Sequence, residues 1–203
     1  MKTGGKNSES AALNQISSKG GIIQTKNALK LGIHQRTLRN LIAHGQLEKV
    51  SRGIYRIPNV DLANPDLFTV ASRVPQSVVC LISALSFHDL TTQIPKKVYI
   101  ALERSTETPR LDWPPLSVHR FSGRAFSEGI EFHKIDGITI RVYSAEKTLA
   151  DCFKFRNKIG MDVVLESLKF YRSKRKIKIT DIYRYAKICR VEKVMHPYLE
   201  ALV

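Results

Sequence analysis

The chain has 203 residues, 43% of them hydrophobic, enough to bury a core in one large or two small domains and to exclude disorder as the default. Its formal charge of +15 is unevenly placed: residues 1–58 carry 10 lysines and arginines against 2 acids, residues 59–148 carry 10 against 10, and residues 149–203 carry 13 against 6. Two basic ends around a neutral middle suit an anionic polymer or an acidic partner at two surfaces better than uniform solvation.

At the N-terminus, "MKTGGKNSESAA" has no apolar stretch of the secretory kind. No apolar run in the chain approaches the roughly 20 residues that span a bilayer. A soluble, cytoplasmic protein without a membrane partner is expected, with residues 1–7 as a disordered lead-in. Cys80, Cys152 and Cys189 lie far apart among apolar neighbours, without a CxxC pair or a histidine at ligand spacing, and read as reduced core residues.

From Ser8 the pattern turns helical, with Ala12, Leu13, Ile16 and Ser17 on one stripe and Gly20-Gly21 as the stop. After "GIIQ", Thr25 is placed to cap "KNALKLG", with Ala28, Leu29 and Leu31 facing inward and Gly32 closing the turn. "HQRTLRNLIAHG" is the third helix. At about 100° per residue, Leu38, Leu41 and Ile42 fall in one sector, and Arg36, Arg39, Asn40 and Ala43 fall opposite. "LEKV" and "IYRI" then alternate as strands around "SRG", where Gly53 allows a tight turn with Arg52 at its tip. Three helices and a basic hairpin over residues 8–58 predict a winged helix-turn-helix.

That pattern points to double-stranded DNA. A helix in the major groove needs donors in bidentate geometry at its outward positions, Arg suiting guanine and Asn adenine, which Arg36, Arg39 and Asn40 supply. A wing needs cations for the backbone or the narrower groove, which Lys49 and Arg52 supply. The alternative is that the arginines merely solvate a helix and the domain docks on a protein.

Past Pro58, "NVDLANPDLF" reads as a polar linker, and residues 59–203 as a second domain. "DLFTVASRVP" predicts a helix with Leu67, Val70 and Ala71 inward, and "SVVCLISALSFHDL" a buried helix or strand-helix unit. "KVYIAL" and "LSVHRFS" predict strands, "IEFHKIDGITIRVYS" a hairpin turning at Asp136-Gly137, and "AEKTLADCFKFRNKIG" a helix. The rest reads as helical, with Met161, Val164, Leu165 and Leu168 on one stripe and Thr180 capping "DIYRYAKIC". The expected class is α+β: a winged helix-turn-helix followed by a mixed α/β domain with a mostly antiparallel sheet and a helical C-terminus.

Catalytic chemistry finds no support. Ser83, His88 and Asp89 lie within "SALSFHD", but no glycine elbow surrounds the serine, so a satisfied core histidine and a helix cap are expected. Asp66 and Glu103 do not form a carboxylate pair at strand spacing with a following lysine. The glycines build no phosphate loop, and the histidines are scattered singly. The expectation is a protein that is not an enzyme, with no catalytic residue, metal or cofactor. Two basic segments remain, Lys154, Arg156 and Lys158 in one and Arg172, Lys174, Arg175, Lys176 and Lys178 in the other. They are read as a partner surface, or otherwise as a solvated face.

Taken together, "GGIIQTKNALKLGIHQRTLRNLIAHGQLEKVSRGIYRI", "SALSFHDLTTQIP", "KTLADCFKFRNKIG" and "VMHPYLEAL" resemble the AbiEi family of antitoxins, of the AbiE abortive-infection systems, from about residue 20 to the C-terminus. His34 stands where a Ser or Thr cap is expected. The resemblance implies a type IV antitoxin with two roles. Its winged helix would repress its own operon at inverted-repeat promoter DNA, as a monomer in solution or two copies on paired half-sites. Its C-terminal domain would counter a nucleotidyltransferase-like toxin without requiring a stable complex. The DNA-contact role falls on Gln35, Arg36, Arg39, Asn40, Lys49 and Arg52. The antitoxin surface is assigned to Lys154, Arg156 and Lys158, extended by Arg172, Lys174, Arg175 and Lys176. A plain regulator whose second domain senses a small ligand is the alternative.

Overall fold

The structure, a computed structural model, describes residues 4–174 and 176–200. It divides into two compact units, one holding residues up to 73 together with 134–139, the other holding 74–133 and those from 140 on.

In the first unit, α1 (Gly4–Ser17) begins four residues before the Ser8 start predicted for it. Lys6–Glu9 contains no helix breaker, so the ladder started at Ala12 and Ile16 extends backwards; residues 1–3 of the expected lead-in lie outside the described residues. "GIIQ" supplies a strand that periodicity did not reveal. β1 (Ile22–Gln24) pairs with β3 (Ile54–Arg56), which also pairs with β2 (Glu48–Ser51), giving an antiparallel sheet of order β1-β3-β2. Between β1 and β2 come α2 (Thr25–Lys30) and α3 (Gln35–Ala43).

Thr25 is not the cap of α2. Gln24 holds that position without a side-chain bond, and Thr25 instead joins the helix to the β2–β3 turn, its N–H and its hydroxyl both donating to the Gly53 carbonyl at 2.8 and 3.3 Å. Ala28 faces the core as expected, but Leu29 is 50% exposed, because a helix of under two turns buries a single narrow stripe. Ala12, Ile16, Ile23, Ala28, Ile33, Leu38, Leu41 and Leu47 form this unit's core. Leu38 and Leu41, at 1% and 0% exposure, each stabilise it by about 2 kcal/mol. The unit also holds α4 (Pro65–Arg73), capped by Asn64, whose Oδ1 accepts from the Leu67 N–H at 3.0 Å. Phe68, rather than Ala71, takes the inward place beside Leu67 and Val70.

The second unit confirms the α+β class. Strand β4 (Val78–Val79) runs into α5 (Leu81–Phe87), the strand-helix form of the two expected. β5 (Val98–Glu103), β6 (Leu116–Phe121), α6 (Arg124–Ser127), β7 (Ile130–Ile135) and β8 (Ile138–Tyr143) follow. The β7–β8 turn, whose residues 134–139 count with the first unit, is the predicted one, Asp136 at φ 49° and Gly137 at φ 73°, the two-residue form that matches strand twist. The sheet order is β6-β5-β4-β8-β7. It is more mixed than the expected antiparallel one: β4–β5 is antiparallel, but β5–β6 and β4–β8 are parallel. Parallel neighbours need crossover connections, which leave no local signal.

The predicted helix over 145–160 is broken at Phe155 into α7 (Ala145–Lys154) and α8 (Arg156–Ile159). Ser144 caps α7, its hydroxyl accepting from the Lys147 N–H at 3.2 Å, and every residue from Ala145 to Phe153 is buried. Around it stand α9 (Met161–Lys174), α10 (Ile179–Cys189) and α11 (Glu192–Glu200). The buried stripe of α9 runs through Val163, Val164, Ser167, Leu168 and Tyr171, leaving Leu165 at 37% exposure. Thr180 lies inside α10, whose N-cap is Lys178.

Two of the distinctive motifs make contacts within this unit. In "SALSFHDLTTQIP", the His88 Nε2–H donates to the Tyr143 carbonyl at 2.7 Å, the satisfied core histidine expected. Thr91 and Thr92 donate their hydroxyls to Glu166 of α9, each at 2.6 Å, which holds that carboxyl below its ordinary range. In "KTLADCF", Lys147 and Asp151, one turn apart and both fully buried, form an ion pair with Nζ at 2.7 and 2.6 Å from the two carboxylate oxygens. The ammonium also lies 4.2 Å from the Tyr143 ring centre and 5.0 Å from that of Phe121. The Cys189 thiol donates to Asp151 at 3.2 Å. All three cysteines are buried and free.

Candidate nucleic-acid interface

The outward side of α3 follows from what the helix buries. Leu38 and Leu41 take the core, leaving Gln35, Arg36, Arg39 and Ala43 exposed. Asn40 stands apart from them. It is only partly exposed, and its amide donates to Glu9 Oε1 of α1 at 2.9 Å, with Glu9 Oε2 also 3.2 Å from His44 Nδ1. This latch, joining residues 31 positions apart, had no sequence signal. It leaves two arginines and a glutamine as the freely presented polar groups of α3. His34 forms the N-cap of α3 without a side-chain bond, so the missing Ser or Thr leaves the helix start intact.

The β2–β3 hairpin presents two of its three cations. Lys49 and Arg52 are exposed, whereas Arg56 is ion-paired across the strands with Glu48. Gly53, at φ 75°, makes the turn that carries Arg52. A bulge between Lys49 and Ser51 shifts the register just before that turn. Lys26 and Lys30 of α2 are exposed as well. On a helix of under two turns, two solvent-side lysines carry no periodic signal of their own.

In the second unit, the basic residues separate into two groups. Lys154 and Arg156 lie at the break between α7 and α8, Arg156 anchored by donating to the Phe153 carbonyl at 2.9 Å. Both line a cleft together with Arg104, Arg124 and Arg190. Lys158, Arg172, Lys174 and Lys176 are exposed but are not part of that cleft. Lys174 donates to the Asp89 carbonyl at 3.0 Å, and Arg175 lies outside the described residues. Lys178 stands 3.8 Å from Glu146.

Among the described residues, no group of three or more His, Cys, Asp or Glu could hold a metal ion, and no helix is long and apolar enough to cross a membrane. The buried cysteines are poor nucleophiles, because burial first and the nearby Asp151 carboxylate second push their thiols up, Cys189 to about 12.

Three helices packed on a small sheet, with an exposed arginine-bearing third helix and a basic hairpin, are the parts of a helix-turn-helix transcriptional regulator. Residues 12–58 match the family model described as transcriptional regulator, AbiEi antitoxin. Over this segment the chain is similar to that family, which supports the resemblance its motifs carry. No match is found among curated proteins.

Proposed function

We propose that the protein is the autorepressing antitoxin of a toxin–antitoxin pair, acting in the cytoplasm. Residues 8–58 work as a winged helix on double-stranded promoter DNA, and residues 59–203 as the antitoxin domain. Supporting this reading is one observation above others: the exposed cations of the first unit lie on the elements that a winged helix presents to DNA, namely Arg36 and Arg39 of α3 and Lys49 and Arg52 of the hairpin. Gln35, Arg36 and Arg39 read bases, and Asn40 joins them once Glu9 releases it. Lys49 and Arg52 hold phosphates, helped by Lys26 and Lys30.

One such domain makes few base contacts, so specific affinity comes from two copies on inverted repeats. Occupancy of the promoter excludes polymerase. Through Lys154, Arg156 and Lys158, extended by Arg172, Lys174, Arg175 and Lys176, the second domain opposes a nucleotidyltransferase-like toxin. It does so by competing for the toxin's nucleic-acid substrate, without a stable complex.

A gel shift and footprint on the protein's own upstream DNA across a salt series test the repressor half. Wild type is expected to protect paired repeats, with a slope of about −0.9 in log K per log salt for each phosphate contact. Arg36→Ala/Arg39→Ala is expected to lose the protection. A featureless footprint for wild type refutes the assignment. For the other half, Lys154→Glu/Arg156→Glu/Lys158→Glu is expected to abolish rescue of growth from the toxin; unchanged rescue refutes the competition mechanism.

A further inference from the structure

The carboxyl ends of the adjacent parallel strands β5 and β6 open into a cleft of about 820 Å³, within the size range of sites for small organic ligands. In open sheets, the ends of parallel strands are where such ligands bind. Five cations converge there: Arg104 just past β5, Arg124 after β6, Lys154 and Arg156 at the α7–α8 break, and Arg190 between α10 and α11. Among the described residues, no carboxylate lines the cleft, and only Arg124 of the five has an ion pair, with Glu128. Ala125, Ile188 and Val191 add an apolar portion. Arg156 donates to the Phe153 carbonyl and Lys154 stands 5.7 Å from the Phe121 ring centre, but neither contact neutralises a charge, so four cations without an ion pair repel one another around one concavity.

Arg190 carries a burden of its own. It ends α10 in the left-handed region, at φ 60° and ψ 39°, with the Val191 N–H closing back on the Ala186 carbonyl at 2.9 Å. Glycine is the usual residue at that position, because a side chain there is strained. The chain accepts the strain and presents a guanidinium to the cleft, as functional sites do.

We infer that this cleft binds a polyphosphate chain, with Arg104, Lys154, Arg156 and Arg190 on the phosphate oxygens and the apolar portion against the rest of a nucleotide-sized ligand. Guanidinium groups suit phosphate oxygens bidentately, and several at once match a run of phosphates better than a single carboxylate. A duplex needs an extended face rather than a concavity of this size. Ser122 is the neutral polar side chain in the lining, so nothing there distinguishes one base from another.

Isothermal titration of the full chain with ATP, GTP, CTP, UTP, adenosine, inorganic tripolyphosphate and a ten-nucleotide single strand tests this. One equivalent of each triphosphate is expected to bind with similar affinity, and adenosine not at all. Tripolyphosphate binding as tightly as the nucleotides would support the site and identify its ligand as inorganic; weaker binding would support a nucleotide. Arg104→Gln and Arg156→Gln should each weaken binding about tenfold, and Arg190→Gly should weaken it while raising the melting temperature. That last pairing separates a ligand role from a structural one. No triphosphate binding, affinity unchanged in these variants, or binding of the single strand alone overturns the proposal. The footprint on promoter DNA is measured on the same Arg190→Gly protein, so failure here is distinguishable from failure of the repressor reading.

Discussion

Replacing Lys147 by methionine strips the buried Asp151 carboxylate of its counter-ion. Both side chains are fully buried, and Nζ lies 2.7 and 2.6 Å from the two oxygens, so the variant exchanges two charge-assisted bonds for a methyl group. The Cys189 thiol remains as a donor, which is weak. Breaking a buried pair from one side costs about 3–5 kcal/mol, a large share of the total stability of a domain. Removing both charges, in Lys147→Met/Asp151→Leu, should recover most of that loss. The deficit also depends on pH. Burial already holds the Asp151 carboxyl above its ordinary range, with Lys147 pulling it back down, and without the lysine it rises further. A folded-state pKa above the unfolded one means that the native variant binds more protons, so its stability falls as pH rises through that window. Urea unfolding of wild type, single and double variants at pH 5.5 and 8 should therefore show a single-variant deficit that is smaller at pH 5.5. A deficit below about 1 kcal/mol at pH 8, or one independent of pH, would refute the account of Asp151 as a desolvated carboxylate sustained by Lys147.

Gly53→Ala should lower stability by about 1–2 kcal/mol, seen as a lower melting temperature, because a side chain at φ 75° is strained and its Cβ would meet Thr25 Oγ1 at 3.3 Å; an unchanged melting temperature would contradict it. Glu9→Ala should cost about 1 kcal/mol by leaving Asn40 unlatched, yet tighten promoter binding several-fold in a gel shift by removing a carboxylate beside α3. Weaker binding would mean that the latch holds α3 in its working geometry. The three cysteines should resist Ellman's reagent at pH 8 in the native chain and all react in denaturant, because their raised pKa values leave almost no thiolate. Rapid native reaction of any one would place it outside the core.

Legibility followed the range of the interaction. The Asp136-Gly137 turn, the stripe of Leu38 and Leu41, and the Gly53 hairpin are written within a few residues, and each stands in the structure. Thr25 and Thr180 carry the right chemistry for caps, but the chain spends Thr25 on the Gly53 carbonyl and leaves Thr180 inside its helix. Asn40 sits on the outward side by angle alone; a glutamate from a distant helix is what draws it aside. The parallel pairing of β5 with β6 likewise leaves no periodic trace. With it went the cleft, whose five cations come from four separate stretches of chain and meet only because the sheet and helices bring their ends together.

The two sheets also differ in how much chain each must wait for during synthesis. The first closes when residue 56 meets residue 22, while the second cannot join its halves until residue 142 lies beside residue 79. Long-range parallel pairing is slow, and a chain emerging at about 5–20 residues per second gives the earlier pairing a lead of seconds. The basic helix is complete while the β4 half of the larger sheet still waits for β8. A nascent chain would consequently carry its exposed α3 arginines on a closed sheet before the larger sheet had both its halves.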